Sequence, residues 1–237
     1  MGSCICHSLH ILLAILVLLT LATYSVSSSS PAQLLKAIFT DDYHAANRSK
    51  VLAVFVFGDS TVDPGNNNFL STIFKSNFPP YGRDFAGSQP TGRFTDGRLV
   101  TDFIASYAGI KEYIPPYLDP SLTLEQLKTG VSFASAGSGF DPLTAKLSSV
   151  LPISKQLEYF REYRSKMERL IGKREMDHII NRSIFAISAG TNDFGINYFL
   201  LPVRRKSYTV SEYQQYLVGH LQQLIKVISH YALQLAY

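Results

Sequence analysis

Cysteine is nearly missing from this chain: both copies, Cys4 and Cys6, lie at its extreme N-terminus. Without that segment no disulfide can form, even in an oxidising compartment, so the fold must be held by burial. Long apolar runs are missing as well. The longest, Ile11 to Ala22, covers twelve residues and is broken by Thr20, whereas a membrane-crossing helix needs about 20. Charge of one sign is not in strong excess: 22 Lys and Arg stand against 18 Asp and Glu, a net +4. The short cluster Arg204, Arg205 and Lys206 reads as a solvated loop rather than a nucleic-acid patch. No metal-ligand cluster and no nucleotide-binding loop of the form GxxxxGK[ST] stands out, because no Lys follows the glycines of the central motif. The GxSxG elbow is absent too.

The apolar Ile11 to Ala22 segment, with small and polar residues through Ser30 after it, reads as a secretory signal over residues 1–28. Its leading part carries His7 and His10 but no Lys or Arg, which leaves an uncleaved anchor as the alternative. Met1-Gly2-Ser3 opens like a myristoylation site, yet Cys6 stands where Ser or Thr is wanted. Two sequons, at Asn47 and Asn181, fit an exported glycoprotein. Residues 29–50 form a polar lead-in. Residues 51–237, in a chain that is 46% hydrophobic, suffice for one core.

The organising stretch is Val51 to Asn68, VLAVFVFGDSTVDPGNNN. Its first seven residues are apolar without alternation, the pattern of a parallel strand buried on both faces. Gly58 ends the run, and Asp59 and Ser60 follow at the carboxyl end, where open α/β sheets place reactive groups. Ser60 there is either a nucleophile or a helix N-cap. A phosphoaspartyl site would need a second Asp where Thr61 stands. A short helix is expected over Phe69 to Phe74, then a long loop containing Pro79, Pro80, Gly82, Gly87, Pro90 and Gly92. Thr95 is placed to cap a helix with Leu99, Val100, Phe103, Ile104 and Tyr107 on its apolar face, stopped by Gly109. After the irregular stretch 114–129, GVSFASAGSG (Gly130 to Gly139) reads as a short strand running into small residues. Either a tight turn or close backbone approach to a ligand explains it. Ser154 to Ile171 is an amphipathic helix, Ser183 to Ala189 a third buried strand, and Ser211 to about Leu235 a long helix. Between the last two, Gly190-Thr191-Asn192-Asp193 falls at a strand end, where Asn and Asp are also ordinary turn residues.

FGDSTVDPGNN, PPYGRDF…PTGRFTDGRLVTDFIA, GVSFASAGSG and GTND together resemble the plant-type GDSL (SGNH) esterase/lipase family over roughly residues 50–237. The resemblance implies a three-layer α/β/α sandwich with a flavodoxin-like parallel sheet, incomplete at its C-terminus. It makes Ser60 the catalytic nucleophile, with the backbone N–H of Gly137 and the side-chain amide of Asn192 as oxyanion donors. Asp59 and Asp193 are expected to brace their turns. No metal or organic cofactor is implied, no nucleic acid and no stable membrane span. The expected activity is that of a secreted serine esterase or lipase acting on lipid or small-molecule carboxylic esters.

The family draws its Asp and His from a DxxH block, and none lies downstream of Asn192. Asp41-Asp42-Tyr43-His44 matches the pattern but sits in the lead-in, and reads as coincidence. His178, beside Asp177, precedes the third strand and belongs at the opposite edge of the sheet; His220 and His230 read as ordinary helical residues. Loss of the base should lower serine reactivity by about 10⁶-fold, as in a protease stripped of its triad. The third strand is expected to be an open edge unless a partner covers it. A non-catalytic secreted binding protein that keeps the oxyanion cleft is therefore the competing reading.

Overall fold

The computed structural model describes residues 51–233 together with Ala14–Ile15. Its centre is the strand β2, Ala53–Gly58, whose first five residues are fully buried. Successive side chains point to opposite faces. Ala53, Phe55 and Phe57 therefore enter one core, while Val54 and Val56 enter another. This double burial is why the run carries no polar alternation.

A second strand, β3 (Ser183–Ser188), lies parallel to β2 in a register that pairs Ala53 with Ser183 and Gly58 with Ser188. Both strands thus end at the same level. On the far side of β2, residues 131–133 pair with it through Phe133 N–H to Val56 O at 2.8 Å and Val56 N–H to Val131 O at 3.2 Å. The expected strand in GVSFASAGSG is present as this bridge. The two-residue strand β1, Ala14–Ile15, pairs in parallel with Ala186 and Ile187. The edge of β3 expected to be open is therefore covered in part by backbone from the apolar N-terminal segment. The rest of that segment, the lead-in with Asp41 to His44, and the Asn47 sequon lie outside the described residues.

Helices cover both faces. On the Phe55 side lie α4 (Ile153–Ile171), α5 (Lys173–Asn181) and α6 (Val210–Leu233), contributing Phe160, Tyr163, Met167, Ile180, Leu217 and Leu224 among others. On the Val54 side lies α1 (Val100–Tyr107), with Ile104 and Ala105. Two short helices, α2 (Leu124–Lys128) and α3 (Pro142–Ser148), complete the set. The result is a three-layer α/β/α arrangement on a parallel sheet. Among the described residues no helix is long and apolar enough to cross a membrane.

Several local expectations fail for identifiable reasons. Phe69 to Phe74 is not a helix; a 3-10 turn, Asn66–Phe69, precedes it, because Asp63 captures the N–H groups of Gly65 and Asn66 and tightens the chain earlier. Thr95 does not cap α1. Its hydroxyl accepts from Gly97 N–H, and Asp102 reaches back to Leu99 N–H at 2.9 Å instead. The buried face of α1 is Thr101, Asp102, Ile104 and Ala105, leaving Val100, Phe103 and Tyr107 exposed. Here the buried Asp102 takes Arg93 in a two-point ion pair at 2.9 and 3.1 Å, which turns a polar position inward. The irregular 114–129 stretch contains α2, capped reciprocally by Thr123 and Gln126. Gly172, at φ 86°, ends α4, and the chain starts α5 at once. Arg164 then binds Glu168 on its own helix and Asp177 on α5.

Candidate active site

The site is built where β2 and β3 end. Gly58, the last residue of β2, sits at φ 144° and lies so close to β3 that a methyl group on it would stand 1.9 Å from Ser188 O. Asp59 N–H donates to that same carbonyl at 2.9 Å. The chain then turns over Asp59 to Val62, closed by Val62 N–H to Asp59 O at 3.2 Å. Ser60 occupies the crest of this turn and is half-buried. Asp59 braces the turn as expected: its carboxylate accepts the N–H and hydroxyl of Thr61 at 3.0 and 2.7 Å. Thr61 Oγ1 in turn meets Ser188 Oγ at 2.7 Å. Among the described residues the Ser60 hydroxyl makes no hydrogen bond.

Three polar side chains then lace this turn to the GVSFASAGSG loop. Asp63 accepts Ala136 N–H at 2.9 Å as well as the two N–H groups of its own turn. Asn66 donates to Ser132 O and Ala134 O, and accepts Leu118 N–H. Asn67 donates to Phe74 O and Ala136 O, and accepts Ser135 Oγ–H at 2.6 Å. All three residues are buried, and their partners satisfy groups that would otherwise cost several kcal/mol to hide. They hold Gly137, buried at φ 85°, in the loop one step beyond Ala136. The proline- and glycine-rich loop braces the other side: Asn68 Nδ2 donates to Thr91 O at 2.9 Å.

The third segment joins through Asn192 and Asp193. Asn192 is half-buried and its Nδ2 donates to Ser138 O at 2.8 Å. A primary amide has two N–H groups, so one remains for another acceptor. Asp193 braces the segment as expected, accepting Phe140 N–H at 2.8 Å, Asp141 N–H at 3.0 Å and the Thr144 hydroxyl. Gly139 must be bare here, because a methyl group on it would overlap the Asp193 carboxylate. After Asp193 the chain forms a π-helix, Asp193–Leu200. Arg204 is not part of a solvated loop: it clamps the carboxylate of Asp141, the N-cap of α3, at 2.7 and 2.9 Å. Arg205 and Lys206 are exposed.

The segments that carry Ser60, Gly137 and Asn192 meet at one end of the sheet. Asp63, Asn66, Asn67, Gln156 and Asp141, to which the family resemblance assigns no role, are the side chains that hold them there. The Asn run was a signal for two of these, since consecutive asparagines beside a buried strand must find backbone partners. His178 is exposed on α5, ahead of β3, and His220 lies against the Tyr216 ring on α6, 4.7 Å between centroids. Asn181, also exposed, ends α5, while Ser183 of its sequon is buried and donates to Ile179 O at 2.7 Å. Among the described residues no cluster of His, Cys, Asp or Glu could hold a metal ion. Two concavities, of about 490 and 730 Å³, lie along charged faces of α4 and α5, not at the strand ends.

Burial sets the electrostatics. It pushes the Asp63 carboxyl up to about 6 and Asp193 up to about 7, against the hydrogen bonds that favour their charged forms. A carboxyl raised in the folded state contributes stability that is full below its unfolded value, 3.8, and lost as pH climbs through its folded value. The free energy of unfolding in urea should therefore fall between pH 4 and pH 6.5, by on the order of 1 kcal/mol per pH unit for each group. The same titration on Asp63→Asn and Asp193→Asn checks the assignment: a fall that is unchanged in both variants would remove these two carboxyls as its source.

A parallel α/β sandwich with polar loops meeting where its strands end belongs to the class that acts on or binds ligands at the sheet's carboxyl edge. The particular family follows from comparison. The profile described as GDSL-like Lipase/Acylhydrolase matches residues 54–236. GDSL esterase/lipase At5g45960 of Arabidopsis thaliana is 60% identical over 179 residues, 76% of this chain and 48% of that protein. GDSL esterase/lipase At2g04570 of the same plant is 48% identical over 198 residues, 81% of this chain and 57% of its own. GDSL esterase/lipase APG, also from Arabidopsis, is 41% identical over 90% of this chain and 56% of its own. The chain belongs to the GDSL-like lipase/acylhydrolase family, and it spans about half the length of the curated relatives it matches.

Proposed function

We propose that this chain carries the nucleophile and oxyanion portion of a carboxylic-ester hydrolase. Ser60 Oγ attacks the ester carbonyl, and the oxyanion is received by the N–H groups of Ser60 and Gly137 and by the free N–H of the Asn192 amide. Collapse breaks the ester C–O bond, and the proton given up by Ser60 Oγ leaves with the alcohol; water then attacks the acyl-serine, releasing the acid and returning a proton to Ser60 Oγ. Each donor contributes on the order of 3 kcal/mol to the transition state. The observation that supports this reading most is the hydrogen-bonded lacing of three distant segments around a turn whose serine hydroxyl is left unengaged. The substrate class is lipid or small acyl esters, approached at the loops beyond the strand ends without a metal or organic cofactor. Export directed by residues 1–28, whose removal would uncover the β3 edge that Ala14–Ile15 pairs with, and glycosylation at Asn47 and Asn181 complete the proposal of a secreted enzyme.

A fluorophosphonate probe tests the nucleophile. The expected result is one covalent adduct on Ser60 in the wild-type chain and none in Ser60→Ala. Equal labelling of the two removes Ser60 from its role. The competing reading, a binding protein that retains the cleft, draws on the placement of His178 and His220 on α5 and α6 rather than in the laced loops. Turnover of a short-chain nitrophenyl ester by the wild-type chain, lost in Ser60→Ala, decides against it.

A further inference from the structure

We propose that Gln156 is a positioning residue that holds the Ser60 turn and the Gly137 loop in one frame. The proposal rests on the reading of Ser60 and Gly137 given above. The face of α4 that meets the sheet presents Ile153, Phe160, Tyr163 and Met167, and a glutamine stands among them with none of its surface exposed. An amide buried there without partners would cost several kcal/mol, so its hydrogen bonds explain its presence. Oε1 accepts Gly58 N–H at 2.9 Å and Nε2 donates to Gly58 O at 2.9 Å. The side chain therefore engages the strand's last residue as a neighbouring strand would, supplying one acceptor and one donor. Nε2 also lies 3.4 Å from Ser138 Oγ and 3.4 Å from Leu151 O.

The placement of these atoms gives the contact its consequence. Gly58 lies two residues before Ser60, and Ser138 lies one residue after Gly137. A single buried amide thus joins the chain entering the serine turn to the chain leaving the Gly137 corner. Gly58 O also accepts Ser135 N–H at 3.0 Å, so the same carbonyl is shared by the helix and the loop. Only a side chain with both an acceptor and a donor at this reach satisfies Gly58. An ionised glutamate keeps the acceptor but turns a carboxylate oxygen toward Gly58 O, and methionine offers neither.

The test compares wild type, Gln156→Glu and Gln156→Met by amide hydrogen exchange and by the rate of fluorophosphonate labelling at saturating probe. In Gln156→Glu, exchange over residues 58–62 and 135–139 should quicken at least tenfold, with β3 residues 184–187 changed less than threefold. Labelling at pH 8 should slow at least tenfold relative to wild type, and the ratio should recover at lower pH as the introduced carboxylate takes a proton and regains a donor. Gln156→Met, which cannot titrate, should show the loss without the recovery. If exchange in both loops stays at wild-type rates, or rises equally throughout the sheet, Gln156 is a packing residue and the proposal falls. If wild type does not label at Ser60, the nucleophile reading falls instead, and the exchange result alone decides whether the clamp exists. If either variant does not fold, the other carries the exchange comparison.

Discussion

Replacing Gly58 by alanine is expected to cost the fold on the order of 4 kcal/mol, enough to leave little folded protein. Two costs add. At φ 144° the backbone occupies a region open to glycine and strained for any residue with a Cβ. The added methyl would stand 1.9 Å from Ser188 O and 2.8 Å from its carbonyl carbon, both backbone atoms of the neighbouring strand that no rotamer change can move. Relief requires β2 and β3 to part at the level where Asp59 N–H also bonds Ser188 O. Gly109→Ala is the matched control. That glycine has φ 67° and nothing within 4 Å of the added carbon, so it bears the conformational cost alone, about 1 kcal/mol. Urea unfolding of the two variants should separate them by at least about 2 kcal/mol. Equal losses would mean that the two strands do not approach at this glycine.

The parts of the fold that were legible in the sequence are those where one local pattern has one structural solution. The unbroken apolar run before Gly58 demands burial on both faces, and glycine at the end of each segment marks where the chain leaves the sheet. Those positions, with Ser60 and Asn192 beside them, placed the site at the carboxyl edge. What escaped depends on partners far away in the chain. Arg204 looked like one member of a basic cluster because its neighbours Arg205 and Lys206 are exposed, but its partner Asp141 lies 63 residues earlier. Hydrophobicity alone points α1 partly the wrong way, because a buried Asp102 pairs with Arg93 and turns its face inward. Gln156 showed only as a polar interruption in an amphipathic helix; its partner Gly58 is 98 residues away, and no periodicity records that.

Asp141→Ala is the second large loss, expected at about 4 kcal/mol, because the carboxylate is the meeting point of a buried network. It accepts Arg204 at two points, the Tyr213 hydroxyl at 2.9 Å and Leu143 N–H at 3.0 Å, and lies 3.3 Å from the Asn197 amide. Burial alone would raise this carboxyl, yet Arg204, the Leu143 N–H and Tyr213 together outweigh it and hold it below the ordinary value. Its contribution is therefore present above the unfolded value of 3.8 and is lost as pH falls through the lower folded one, opposite in sign to Asp63 and Asp193. Truncation leaves the Arg204 charge and the Tyr213 hydroxyl without their acceptor and removes the N-cap of α3. Asp141→Asn keeps an oxygen for the cap but not the charge for Arg204, so it should fall between alanine and wild type. The exposed pair Arg83–Asp96, at 2.6 Å, is the contrast: Asp96→Ala should shift stability by no more than about 0.5 kcal/mol. The functional consequence runs through Asp193, whose carboxylate holds Asp141 N–H and Phe140 N–H one residue from Asn192. Loosening α3 should therefore slow Ser60 labelling in Asp141→Asn at temperatures where the variant is still folded. Wild-type labelling in a folded Asp141→Asn variant would confine the network to stability and detach it from the site.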